Sequence, residues 1–370
     1  MTTPPHDPKI GRPDAILISS SYSNGVIRLT NLQPKLLPTT VIGSHATPSW
    51  LWTAIGEMDK GNYGPTDTKE TFDDAVNMAI LDQEHAGIDI ISDGEMRRWY
   101  FVQSFYKRMT GIVEEAPLRT VGLYGYDSPQ RYRATEKVTI PEGLGIVEEY
   151  LYAKAHTDKP IKVTCPGPLT LTMHIRPGEA YKSRLDLAWD VAQVINAELK
   201  ALEAAGAEFI QLDEPSFAII PGELNEWVSL YNSTVQGINA KLALHVCFGN
   251  LASRPRGKRD YGWMFPALLE TKTDQLVLEF ANREMKEADL WGDAGDDREL
   301  GAGVVDVKSF YVEKPEDVAE RIRMLLKTVE PEKLYISPDC GFFQLPRWIT
   351  YLKLQALVAG TKIVRQEMGG

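Results

Sequence analysis

From Pro38 onward, short apolar runs alternate with longer amphipathic stretches, and this rhythm limits the possible folds more than any other feature. The runs are 40–43, 88–91, 161–165, 208–212, 242–247, 275–280, 301–307 and 333–337. Each is of strand length and mostly apolar, the pattern of strands buried on both faces of a parallel sheet. Between them, 69–85, 183–205, 315–329 and 348–365 carry apolar residues at helical spacing. Glu84-His-Ala-Gly-Ile-Asp-Ile-Ile and Glu203-Ala-Ala-Gly-Ala-Glu-Phe-Ile share one design: a helix stopped by Gly87 or Gly206 that runs directly into a buried strand. About eight strand–helix units in ~330 residues is the count of a (β/α)8 barrel. A doubly wound sheet is the rival, but no Gly-x-Gly-x-x-Gly follows an early strand. The expected fold is therefore α/β: a TIM barrel over 38–370, with an N-terminal extension over 1–37 and an insertion after strand two. The extension is broken by Pro4, Pro5, Pro8, Pro13 and Pro34, with a strand-like patch at 25–29. Residues 99–160 are too many for one connection and predict an excursion over the barrel mouth, partly ordered at 140–149.

Composition removes several classes of function. The chain has 370 residues, 43% of them hydrophobic and 25% charged, enough for a large core. Fifty-one acidic residues against 40 basic ones give a net charge of −11, which disfavours nucleic acid and anionic membranes as partners. No apolar run approaches the roughly 18 residues of a membrane span, and Met1 to Asp14 lack the apolar core of a secretory signal. Three cysteines, Cys165, Cys247 and Cys340, do not make a disulfide framework and point to a reducing, cytoplasmic setting.

Chemistry-bearing residues cluster at one end of the expected strands. These ends carry Ser44 and His45, Asp93 and Glu95, Cys165, Asp213 and Glu214, His245 and Cys247, Glu279, Asp306 and Lys308, and Asp339 and Cys340. Active sites of barrels collect at that end. His245 and Cys247 are two apart on a strand and face the same way. With Glu279 and Cys340 they make a Cys2HisGlu set, a tetrahedral zinc shell of formal charge about −1. Such a zinc is a weak Lewis acid and suits a thiolate that stays nucleophilic. Singly, a buried Cys is most often core and a strand-end His most often a hydrogen-bonded filler. Position gives the set its weight, because structural zinc usually takes ligands from close-spaced pairs. Cys165 reads as core or cavity wall. Asp213 and Glu214 could cap the next helix or bind an ammonium group. Arg97 and Arg98 could pair with Glu95 or bind an anion. The charged stretch 313–323 reads as solvated helix surface.

Leu37-Pro-Thr-Thr-Val-Ile-Gly-Ser, Asp93-Gly-Glu, Pro166-Gly-Pro-Leu-Thr, Ile210-Gln-Leu-Asp-Glu-Pro, His245-Val-Cys, Leu278-Glu, Gly301-Ala-Gly-Val-Val-Asp-Val and Pro338-Asp-Cys-Gly occur in this order. In these motifs the chain, from about Leu37 to Arg365, resembles the catalytic C-terminal half of cobalamin-independent methionine synthase. The resemblance implies a (β/α)8 barrel that binds Zn2+ through His245, Cys247, Glu279 and Cys340 and transfers an alkyl group to a thiol. It implies that Ser44, Glu95 and Asp213, with the backbone of Ile42 and Gly43, hold the amino acid part of homocysteine.

Two positions depart from the family pattern. His174 stands where the family places a folate-stacking Trp. Lys308, in Asp306-Val-Lys308, stands where the family places a proton-donating His. These departures point away from a folate polyglutamate and toward another alkyl donor, such as a methylated corrinoid or its protein, with Asp306 and Lys308 as the catalytic pair. The leading expectation is methyl transfer to homocysteine. The enzyme alternative is an epoxyalkane:coenzyme M transferase, in which coenzyme M thiolate opens an epoxide and Lys308 or His45 protonates the alkoxide. A non-enzyme alternative is a metal-stabilised barrel that only binds a thiol; it predicts a closed metal site.

Overall fold

The protein is described from a computed structural model, which covers residues 35–98, 101–117, 130–250, 258–369. The 25–29 patch and nearly all of the 1–37 extension lie outside the described residues. In chain order the strands are β1 (Thr110–Glu115), β2 (Arg131–Thr139), β3 (Val163–Pro166), β4 (Ile175–Arg176), β5 (Phe209–Asp213), β6 (Lys241–Val246), β7 (Gln275–Glu279), β8 (Glu299–Val305) and β9 (Leu334–Pro338).

Six of them form a parallel sheet in the order β3-β5-β6-β7-β8-β9. Two short segments join its edges. Thr39 pairs with Ile336 of β9, Thr40 pairs with Ile90, and Ile91 pairs with Ile161 next to β3. The ring therefore has eight members, as the sequence rhythm predicts. The first two, expected as strands over 40–43 and 88–91, are reduced to single bridges. In the first segment, side chains distant in sequence take the carbonyls: Gln211 Nε2 takes that of Ile42 at 2.7 Å, and Ser92 Oγ takes that of Gly43 at 2.7 Å. Side chains occupy the carbonyls that a neighbouring strand would otherwise pair.

The strands of the parallel sheet are buried on both faces; β3, β5 and β7 are buried at every position. Helices Pro65–Ala86, Arg184–Ala204, Pro315–Leu325 and Arg347–Glu367 lie where the sequence pattern places them. Gly87 ends the first of these at φ 90°, a conformation costly to a residue with a β-carbon. The excursion contains a β1–β2 antiparallel hairpin, with β4 added in parallel. It ends in helix Ile146–Lys154, whose first backbone N–H groups are held by the buried Glu198 carboxylate. No helix among the described residues is long and apolar enough to cross a membrane.

One surface assignment is corrected. Glu313 is buried, and its carboxylate pairs with the equally buried Lys353 ammonium at 2.8 Å. The solvated face expected from 313 onward therefore begins inside the protein. A local charge pattern does not reveal a partner 40 residues downstream.

Candidate metal centre

Strand β6 sends His245 toward the barrel axis, and Cys247 follows just past its end. Strand β9 delivers Cys340 two residues beyond Pro338. The ligand atoms of His245, Cys247 and Cys340 all lie within 4.8 Å of one another. The two sulfur atoms are 3.6 Å apart, and neither cysteine is in a disulfide. His245 Nδ1 is 2.8 Å from Asp213 Oδ1, while the buried Nε2 has no hydrogen-bond partner. A carboxylate can only accept, so this contact puts the proton on Nδ1 and turns Nε2 toward the two sulfurs. Burial works against a charged imidazole, yet Asp213 and Cys340 outweigh it and push the ring pKa up to about 9. Hydrogen bonding from the Cys247 thiol holds Cys340 well below the usual thiol range against the cost of burial, and His245 and Lys308 add to the effect.

Glu279 ends β7 beside this group but is not gathered into it. Its Oε2 accepts from Lys308 Nζ at 2.8 Å and from the Phe248 N–H at 3.2 Å. Its Oε1 is buried with no hydrogen-bond partner. Two cysteine sulfurs, a ring nitrogen without a hydrogen-bond partner and an unpartnered carboxylate oxygen are a donor set that fits a borderline-soft divalent ion such as zinc, whose charge would displace the ring proton.

Lys308, expected as the proton donor, is ion-paired with Glu279 in this arrangement. Burial disfavours its charge, but Glu279 and the Cys340 and Cys247 sulfurs prevail and raise its pKa above the ordinary lysine range. An ammonium so held gives up its proton reluctantly. Asp306 is a brace: its Oδ1 accepts from Asn282 Nδ2 and the Lys308 N–H, and its own N–H donates to Glu313. His45 is also committed elsewhere, with Nε2 3.0 Å from Asp82, which Arg347 grips with two further hydrogen bonds.

The residues expected to hold an amino acid adjoin the metal group. Asp213 Oδ1 links His245 to Gln211 Nε2, which in turn holds Ile42. Ser44 packs against Gly341, the residue after Cys340: a β-carbon on Gly341 would lie 2.0 Å from Ser44 Oγ. A β-carbon on Gly43 would lie 2.5 Å from Glu95 Oε1, so that carboxylate rests on the bare backbone. Glu95 Oε1 also accepts from Thr164 Oγ1 at 2.6 Å and from Arg98 at 3.2 Å. Burial raises the Glu95 pKa to about 7, with Arg98 opposing and Asp213 adding to the rise.

The structure also separates residues that the sequence left ambiguous. Arg98 turns inward to Glu95, Thr164 and Glu149, whereas Arg97 pairs with Asp73. Glu214 does not cap the helix that follows it, Ser216–Ile219; it accepts from the Leu169 and Thr170 backbone and the Thr170 hydroxyl, at the start of the earlier helix Pro168–Leu171. His174 lies by the excursion, its carbonyl accepting from the Tyr132 N–H. Thr164, Gln211 and Asn282 carry no signal of their own in the sequence. Only the strand register, which sets Gln211 beside Thr164 and two residues before Asp213, brings the first two to the site.

Comparison with known proteins follows the same outline. The family described as "Cobalamin-independent synthase, Catalytic domain" matches residues 37–362. A methionine synthase of Sulfurisphaera tokodaii is 39% identical over 335 residues, covering 90% of this chain and 94% of the relative. A methionine synthase of Saccharolobus solfataricus is 39% identical over 335 residues, covering 90% of this chain and 96% of the relative. Among solved structures, a B12-independent methionine synthase from Shewanella sp. W3-18-1, in complex with selenomethionine, superposes with a TM-score of 0.77 at 30% identity. That superposition covers 90% of this chain and 99% of the Shewanella chain.

Proposed function

The chain belongs to the catalytic-domain family of the cobalamin-independent methionine synthases, and from that premise we propose a zinc-dependent transfer of a methyl group to the thiol of homocysteine, forming methionine. The observation that carries this reading is the continuity of the two halves of the site. Asp213 contacts the imidazole of the metal group and stands among the residues suited to an amino acid's polar end.

In this reading His245, Cys247 and Cys340 would hold the ion, and Glu279 would supply a fourth donor. A zinc ion at this site would supply the charge that lowers the pKa of an incoming thiol toward neutrality. The remaining work falls to the chain. Asp213 fixes the His245 tautomer. Glu95 and Asp213 present carboxylates to the acceptor's ammonium, and Arg98 and Thr164 restrain the Glu95 carboxylate. Ser44 and the backbone at Ile42 and Gly43 complete that pocket. Lys308 neutralises Glu279 within a buried, acidic site. Because Lys308 is tied up in this way and His174 replaces the family's Trp, the donor is read as a methylated corrinoid or its protein, not a folate polyglutamate.

The comparisons do not favour the coenzyme M alternative, since the relatives above are methionine synthases. The test is product analysis. Zinc-loaded protein given homocysteine and methylcobalamin is expected to form methionine, and protein given coenzyme M and an epoxide is expected to form no thioether. Thioether from the second mixture and no methionine from homocysteine with methylcobalamin or methyl-folate would reverse the assignment.

A further inference from the structure

Asp339 precedes the ligand Cys340, yet the roles assigned above do not use it. It is 1% exposed, at the end of β9. Its Oδ1 accepts from the backbone N–H groups of Phe280 and Ala281, both at 2.9 Å. Its Oδ2 accepts from the Asn282 N–H at 2.6 Å. These are three successive N–H groups, and they belong to the three residues that follow Glu279. The Asp339 N–H itself donates to the Val305 carbonyl at 2.9 Å, which ties the same residue to β8. Gly303 of β8 makes room for the arrangement: a β-carbon there would lie 2.4 Å from Asp339 Oδ1 and 2.6 Å from its Cα.

One carboxylate thus clasps the turn 280–282 to the end of β9. The two ligands that this contact relates, Glu279 and Cys340, come from strands that are not neighbours, since β8 lies between β7 and β9. Backbone pairing relates them only indirectly, since Glu279 pairs with Gly303 of β8 and Gly303 with Ser337, ahead of a register shift between Gly303 and Val305. We infer that Asp339 is a positioning residue of the metal centre, setting Glu279 against Cys340 by holding the backbone that follows the one and precedes the other. The inference rests on the metal-dependent reading above. It assigns Asp339 no contact with substrate or ion.

Groups that orient a metal's ligands typically carry about 10–100-fold in metal affinity. Asparagine at this position keeps the shape and one acceptor oxygen but meets the Asn282 N–H with another donor. Asp339→Asn is therefore expected to weaken zinc binding about 10–100-fold, measured by chelator competition. It should also move the visible absorption bands of the cobalt(II)-substituted protein, while the metal-free protein unfolds close to its normal midpoint. Gly303→Ala changes no charge and crowds the same clasp, so it is expected to act in the same direction. It also carries the test if Asp339→Asn does not fold.

A double-mutant cycle separates positioning from a general charge effect. In a Glu279→Ala background, Asp339→Asn is expected to cost no more than about twofold in affinity, against 10–100-fold in the wild-type background. A cost that persists in full in that background overturns the inference, as does unchanged zinc affinity in both Asp339→Asn and Gly303→Ala. Failure of the wild-type protein to bind zinc defeats the functional reading itself, a different result from normal wild-type binding with silent variants.

Discussion

Cys340→Ser is expected to remove metal binding and turnover together. Cys340 is the one cysteine of the three that is not fully buried, and its thiol is held toward the thiolate form by Cys247, His245 and Lys308. A serine hydroxyl in the same place stays protonated at neutral pH and is a poor donor to zinc. Direct loss of a ligand should exceed the roughly 10–100-fold typical of a supporting group. After dialysis, Cys340→Ser should contain far less than one zinc per chain and form methionine only at background. Full turnover with stoichiometric zinc would place the metal elsewhere. The same variant separates the enzyme from a metal-stabilised thiol-binding barrel. Lost turnover identifies the ion with the chemistry, whereas a closed structural site would show no methionine formation even in the wild type.

The second large effect concerns stability. Lys353, from helix Arg347–Glu367, reaches Glu313 with both side chains buried, 0% and 1% exposed. Glu313 Oε1 in turn accepts the Asp306 N–H at 2.8 Å, so the pair also supports the end of β8. Replacing one partner of a buried ion pair leaves the other charge without compensation, at a cost of about 3–5 kcal/mol. Lys353→Met should lower unfolding free energy by that amount in urea titration. The double variant Lys353→Met, Glu313→Leu should recover most of the loss, since a well-packed apolar pair can replace a buried ionic one. A change within about 0.5 kcal/mol for Lys353→Met would show that Arg321, 3.5 Å from Glu313, compensates the charge without help.

These two sites mark what can be read from residue order. The barrel was legible because its periodicity is local: each buried strand and each amphipathic helix announces itself within about ten residues. Gly87 and the helix it terminates belong to that local code. The triad His245, Cys247 and Cys340 was legible because two ligands share a strand face and the third follows a strand end. Lys353 with Glu313, Arg98 with Glu95 and Thr164, and Asp339 with the 280–282 turn were not legible as pairs. Their meaning lies in partners that only the closed ring brings together. The shortening of the first strand was hidden for the same reason: Gln211 lies 169 residues from the carbonyl it occupies. Lys308 shows the converse. Sequence placed it at the site, and only the Glu279 contact shows that its charge is committed there.

The most direct test of the central claim is proton release into weak buffer when a thiol is added to zinc-loaded protein. Binding of a thiol as thiolate should release about one proton per site. Homocysteine is predicted to give that release and coenzyme M none. Release with coenzyme M and none with homocysteine would contradict the account and turn attention to epoxides as the alkylating partner.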